Sequence, residues 1–200
     1  MLVILYKSHL MSLYSSISYK LFFLLLLASL SVSYTYGQNK VKWLTWEEAQ
    51  NKSETIKKKV FVDVYTEWCG WCKKMDKATF QQDDIAAYLN EYYYAVKFDA
   101  ESKKDIVMNG KVYKYVKSGK RGYHQLALEI MKGKLSYPTI VFLDENLDVL
   151  QPIPGYRGPK EFKMMMAYFA GDYFKSVPWK QYSMNYNPDA AVNNSRVVKN

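Results

Sequence analysis

Glu67-Trp68-Cys69-Gly70-Trp71-Cys72-Lys73 holds the only two cysteines of this 200-residue chain, two residues apart. They stand where a short apolar, β-rich run, Val60-Phe61-Val62-Asp63-Val64-Tyr65, gives way to a helical pattern. Two cysteines at that spacing close a small disulfide only if the backbone turns, and a strand-to-helix junction supplies the turn. Cys69 then sits at a helix N-terminus, where the dipole and free amide groups stabilise a thiolate and lower its pKa into a range of about 3.5–7.5. Cys69 is the expected attacking sulfur. Cys72, one turn inside and more sheltered, is the expected resolving one.

The surrounding pattern alternates strands and helices, which suggests a largely parallel sheet with crossovers. Thr45-Trp46-Glu47-Glu48 has the form of a capping box and predicts a helix over 46–57, with Lys57, Lys58 and Lys59 at its negative end. The run 60–65 reads as a strand buried on both faces, and Asp63 is the anomaly within it. A helix is predicted over 71–77, another carrying Ile85, Tyr88, Leu89 and Tyr92 on one stripe, and a strand over 93–99. Asn109-Gly110 between Ile106-Val107-Met108 and Lys111-Val112-Tyr113 predicts a hairpin. Residues 118–122 read as a loop and 123–132 as a helix stopping at Gly133. Strands over 139–143 and 147–152 flank a turn at 144–146, and a final helix runs from Pro159 to Gly171 with Phe162, Met165, Met166 and Phe169 facing the sheet. From Asn185 onward apolar periodicity ends, which predicts a flexible tail over 184–200.

Val62-Asp63-Val64-Tyr65-Thr66-Glu67-Trp68-Cys69-Gly70-Trp71-Cys72-Lys73 resembles the active-site segment of thioredoxins, and Tyr137-Pro138-Thr139 resembles their cis-proline segment. The resemblance extends to Lys97 and Gly155 and covers roughly residues 41–170. It implies a thioredoxin-like α/β fold with a central mixed sheet flanked by helices. The domain is expected over 38–183, with an inserted hairpin and loop at about 100–136 before the cis-proline strand. The implied chemistry is thiol–disulfide exchange with protein substrates and without a cofactor. Asp63 would be the buried carboxylate beneath the dithiol, acting through water as proton acceptor for Cys72, with Lys97 tuning it. A carboxylate in an apolar strand should have a raised pKa, which makes it a competent base near neutral pH. Pro138 would leave the Tyr137 backbone free to pair with an extended substrate strand. Trp68, Gly70 and Trp71 complete the expected substrate contacts. Trp71 stands where typical thioredoxins have proline, and changes between the cysteines alter redox poise, so both directions of electron flow stay open. The longer insertion makes the chain more similar to exported thioredoxin-like proteins and the reductase domain of DsbD-type proteins than to cytosolic thioredoxin.

Residues 1–37 lack any acid and carry an apolar stretch, 21–28, after Lys20, which reads as a signal peptide cleaved after Gly37. The expected location is therefore periplasmic or secreted; an uncleaved leader would instead anchor the protein in the membrane. The formal charge of +9 becomes +7 once Lys7 and Lys20 depart with the leader. The lysines are spread along the chain, which argues against nucleic acid as a partner. Protein thiols and disulfides are the expected partners, with a membrane electron donor as a further one, for a monomeric domain. Tyr113, Tyr115, Lys117, Lys120, Arg121, Tyr123 and His124 would give the insertion a basic, aromatic surface or simply a solvated cover. The competing reading is a partner-binding or chaperone-like module whose disulfide is structural. Two cysteines and a remote His124 fall short of a usual four-ligand metal set, and Lys73 stands where haem attachment needs histidine.

Overall fold

In the computed structural model, which describes residues 40–187, the chain runs α1 (Trp46–Thr55), β1 (Lys59–Tyr65), α2 (Gly70–Met75), a π turn over Asp76–Phe80, α3 (Asp83–Tyr92) and β2 (Tyr93–Asp99). An insertion follows as two hairpins, β3 (Ile106–Met108) with β4 (Lys111–Tyr113) and β5 (Tyr115–Ser118) with β6 (Arg121–His124), then the short helix α4 (Gln125–Ile130). The chain closes with β7 (Thr139–Leu143), β8 (Val149–Pro154), α5 (Pro159–Ala170), a 3₁₀ turn over Tyr173–Lys175 and α6 (Trp179–Met184). The expected signal peptide lies outside the described residues, as does the expected tail apart from 184–187.

The main sheet has the order β2-β1-β7-β8, with β1 parallel to β2 and antiparallel to β7. Its mixed character and its flanking helices are those of the thioredoxin-like fold. β1 is central because its side chains are apolar on both faces, so only an interior position satisfies them. Val60, Val62 and Val64 meet Trp46, Phe98, Leu126 and Ile130 in the core on one face. Phe61 points the other way into Phe80, Phe142 and Phe162, with ring centroids 5.5, 5.6 and 5.2 Å away. Asp63 shares that second face, by the period-two alternation of a strand. β8 forms an edge of the sheet, where Pro152 and Pro154 cost no ladder hydrogen bond on an inner partner.

Several boundaries move for identifiable reasons. α1 keeps its capping box, Glu48 N–H to Thr45 Oγ1 at 3.2 Å and Thr45 N–H to Glu48 Oε2 at 2.8 Å, but ends at Thr55 because Ile56 is extended. Lys59 does not sit at the helix end: it opens β1, buried, its ammonium 2.6 Å from Glu145 and 3.0 Å from Asp172. The stretch predicted as a loop over 118–122 is the tip of the second hairpin, turning at Gly119 with φ 59°. Tyr123 and His124 belong to β6, not to a helix, because His124 caps α4, its Nδ1 accepting the Leu126 N–H at 3.2 Å. His124 is therefore fully buried, edge-on to Phe98, and Tyr113 is buried too; neither contributes to a surface. The last strand begins at Val149 rather than 147, since Leu147 turns at φ 69°. α5 is followed by α6, held by Trp179 and Tyr182 against Tyr168 at 5.2 and 4.9 Å.

Truncating Phe61 to alanine should cost about 3–5 kcal/mol in urea unfolding. Ile56, exposed on the surface, should tolerate the same truncation within about 0.5 kcal/mol.

Candidate functional site

β1 ends at Tyr65, and a four-residue connection, 66–69, carries the chain into α2. Cys69 donates its N–H to the Thr66 carbonyl at 3.0 Å and takes the N-cap position of α2. Its Sγ accepts the Cys72 N–H at 3.1 Å, and its carbonyl accepts the Lys73 N–H at 3.2 Å. The two sulfurs are joined as a disulfide, with the α-carbons 5.3 Å apart. The first turn of α2 contains no acid and the helix carries Lys73 and Lys74, so the local field favours a negative sulfur at Cys69 once the bond is reduced.

Asp63 lies behind this turn, 1 % exposed, and its oxygens have no hydrogen-bond partner apart from the Lys97 ammonium. In the parallel register Asp63 sits opposite Lys97, which brings the Lys97 ammonium 3.4 Å from Asp63 Oδ2 and 3.1 Å from Asp76 Oδ2. Rings of Trp43 and Tyr65 flank the same ammonium at 5.0 and 5.4 Å. Burial pushes the Asp63 carboxyl up to about 7; Lys97 opposes that rise and the Asp76 charge adds to it. Asp63, Cys72, Asp76 and Lys97 all line a cavity of about 190 Å³, space for several waters at about 30 Å³ each. Cys69 does not line it, so the buried base faces the second cysteine of the pair.

Around the mouth the residues are aromatic. Trp68 and Trp71 are 51 % and 57 % exposed, unusual for indoles beside two nearly buried cysteines. Trp68 meets the Tyr137 ring edge-on at 5.9 Å and donates its indole N–H to Glu101 Oε1 at 3.0 Å, while Arg121 from β6 stacks 4.3 Å above it. Trp71 packs at 5.6 Å from Tyr156, with Lys74 over the indole at 4.6 Å. The Tyr137–Pro138 bond is cis, and the β7–β8 ladder begins only at Thr139, leaving Tyr137 ahead of it. The Pro138 carbonyl accepts the Gly155 N–H at 2.8 Å. Gly155 needs to be glycine, with φ 92°; Gly70 does not, since a Cβ there would meet open space.

The residues expected to form the dithiol site gather at one end of β1: the cysteines, Asp63 and Lys97 below, Trp68, Gly70, Trp71, Tyr137 and Pro138 at the mouth. Asp76, Glu101 and Tyr156 were not anticipated. Asp76 carried a readable signal, standing four residues after Cys72 and so on the same helix face. Glu101 and Tyr156 carried none, because they arrive from other elements.

A family model named Thioredox_DsbH and described as a protein of unknown function, DUF255, matches residues 27–170. The chain belongs to this family. Among curated proteins, the chain is 27% identical over 136 residues to an uncharacterized protein, B0495.5, from Caenorhabditis elegans, a match covering 66% of the chain and 16% of the relative. Spermatogenesis-associated protein 20 from Rattus norvegicus is 34% identical over 72 residues, 36% of the chain and 9% of that protein. The chain therefore spans only a small part of the length of these relatives. A thioredoxin from Thermus thermophilus superposes with a TM-score of 0.49 at 16% identity, covering 65% of this chain and 87% of that one.

The Asp63 carboxyl should make stability depend on pH. The unfolded side chain loses its proton near 3.8, the folded one only near 7. Ionisation therefore favours the unfolded state progressively between those values, with no penalty below and the full one, about 4 kcal/mol, above. Urea unfolding of the wild type should show stability falling over that window, and Asp63→Asn should remove the fall.

Proposed function

We propose that this chain is an exported thiol–disulfide oxidoreductase that exchanges the Cys69–Cys72 pair with protein thiols and disulfides, as a reductase or isomerase-type partner. The observation that carries the reading is the division of labour within the pair. Cys69 caps the helix and accepts the Cys72 N–H, whereas Cys72 faces the cavity holding a buried carboxylate poised near neutrality. In the reduced protein, the Cys69 thiolate attacks a substrate disulfide, forming a mixed disulfide and expelling one substrate thiolate, which takes up a proton. Asp63, through water in the cavity, accepts the Cys72 proton. The Cys72 thiolate then attacks Cys69 Sγ, breaks the mixed disulfide and releases the second substrate thiol. Two electrons pass from the pair to the substrate, and an external reductant, here a membrane electron donor, restores the dithiol. Running the steps backwards introduces or rearranges substrate disulfides.

Lys97 holds Asp63 and Asp76 together, so it tunes the base rather than touching substrate. Trp68, Gly70, Trp71 and Tyr137 with Pro138 form the surface on which an extended substrate strand would lie. The acid-free leader at 1–37 supports a periplasmic or secreted setting, where such exchange is useful.

One observation favours a second reading, a binding module with an inert disulfide: Cys69 and Cys72 are only 6 % and 4 % exposed. Trapping separates the two. With Cys72→Ser, Cys69 should accumulate stable mixed disulfides with added protein disulfides, and Cys69→Ser should reduce them at less than about a hundredth of the wild-type rate. A pair that neither traps nor turns over would leave the binding reading. A reduction potential near about −270 mV would mark reductase work, and one near about −120 mV disulfide introduction.

A further inference from the structure

The insertion meets the dithiol mouth at Trp68, where Glu101 accepts the indole N–H at 3.0 Å and Arg121 lies over the ring at 4.3 Å. Trp68 is the neighbour of Cys69 in sequence and of Tyr137 in space, so the Arg121 guanidinium stands at the rim that any substrate segment must cross. The charges of the insertion are distributed unevenly. Three lysines of the insertion are neutralised, Lys104 by Glu47 at 3.0 Å, Lys111 by Glu129 at 3.2 Å and Lys114 by Asp105 at 3.1 Å, whereas exposed Lys103 forms no ion pair among the described residues. At the tip of the second hairpin, Lys117, Lys120 and Arg121 are exposed and form no ion pair among the described residues. Glu101 is engaged by the indole N–H at the other edge of Trp68, and Glu67 precedes the indole; neither pairs with Arg121. The backbone that carries Arg121 is closely packed at the next residue. A Cβ at Gly122 would collide with the Tyr115 ring and the Val116 carbonyl, so the two strands lie against each other with the Tyr115 ring across β6.

We infer that Arg121 is a specificity-determining residue, through which the inserted hairpin selects protein substrates carrying carboxylates beside the reacting disulfide. The inference rests on the oxidoreductase reading and adds the substrate class to it. A guanidinium stacked on an indole keeps its edge N–H groups free, and those are matched to a carboxylate in a fork geometry. Lys120, beside it in the turn, adds charge of the same sign at the same place.

The test uses the full pre-reduced chain in single turnovers against three matched cystine peptides, with Glu, Gln or Lys on either side of the disulfide. The wild type should reduce the Glu peptide about fivefold faster than the Lys peptide, the upper range for one or two exposed charge pairs. High salt should compress that ratio towards one. Arg121→Lys should keep most of it, Arg121→Gln should lower it by at least about twofold, and Arg121→Glu should bring it to one or below. Because each ratio compares peptides on one preparation, partial loss of folded protein does not change it. Equal wild-type rates for the Glu and Lys peptides, or a ratio that Arg121→Glu leaves unchanged, would overturn the inference while the oxidoreductase reading stood. Failure of the reduced chain to reduce any of the peptides, together with failure of its disulfide form to oxidise their dithiols, would overturn both.

Discussion

Burial of β1 on both faces is the constraint on which the rest depends. A strand with Val60, Phe61, Val62 and Val64 at essentially zero exposure has to be interior to the sheet, and its end becomes the one place where the chain emerges beside its neighbours. The same burial traps Asp63 among apolar groups. Its cost is reduced by a single partner, Lys97, which the parallel register with β2 sets opposite it. That partner is shared with Asp76, so the carboxyl is neither freely ionised nor permanently neutral. The turn into α2 puts Cys72 on the same cavity as this carboxyl.

The helix after the dithiol serves the same end. α2 is short and passes into a π turn over Asp76–Phe80, where the widened backbone directs Asp76 to Lys97 and sends Phe80 into the Phe61 cluster. The geometry around the cysteine pair and the packing of the core are thus set by the same few residues. The mouth is looser: Trp68, Trp71, Tyr137 and Tyr156 touch in pairs, with Arg121 and Lys74 stacked on the two indoles. Such contacts shape a surface without sealing it, which suits recognition of extended chains better than of small molecules.

Much of this was legible in the chain itself. The apolar runs at 60–65 and 139–143, the capping box at Thr45 and the Asn109-Gly110 hairpin are local signals, and each appears at its place within a residue or so. Errors fall where a distant partner overrode a local preference. Lys59 reads as a helix-end cation until Glu145 and Asp172 come to it inside the strand. His124 reads as a surface group until its ring nitrogen caps α4 and its face meets Phe98. α6 is a short helix whose Trp179 and Tyr182, three residues apart on one face, are received by Tyr168 of α5.

The sequence by itself determined the parts of the candidate site: a CxxC pair at a strand-to-helix junction, an acid in an apolar strand and a proline opening another strand all follow from spacing and residue type. Only the tertiary structure decided which further groups stand beside them. Asp76 joins the buried pair because β2 presents Lys97 to both carboxylates, and Arg121 reaches Trp68, the neighbour of Cys69, because the second hairpin of the insertion brings it over that indole. Local pattern encodes what neighbours along the chain can do, whereas contacts across many residues depend on register and packing that no short window of sequence contains.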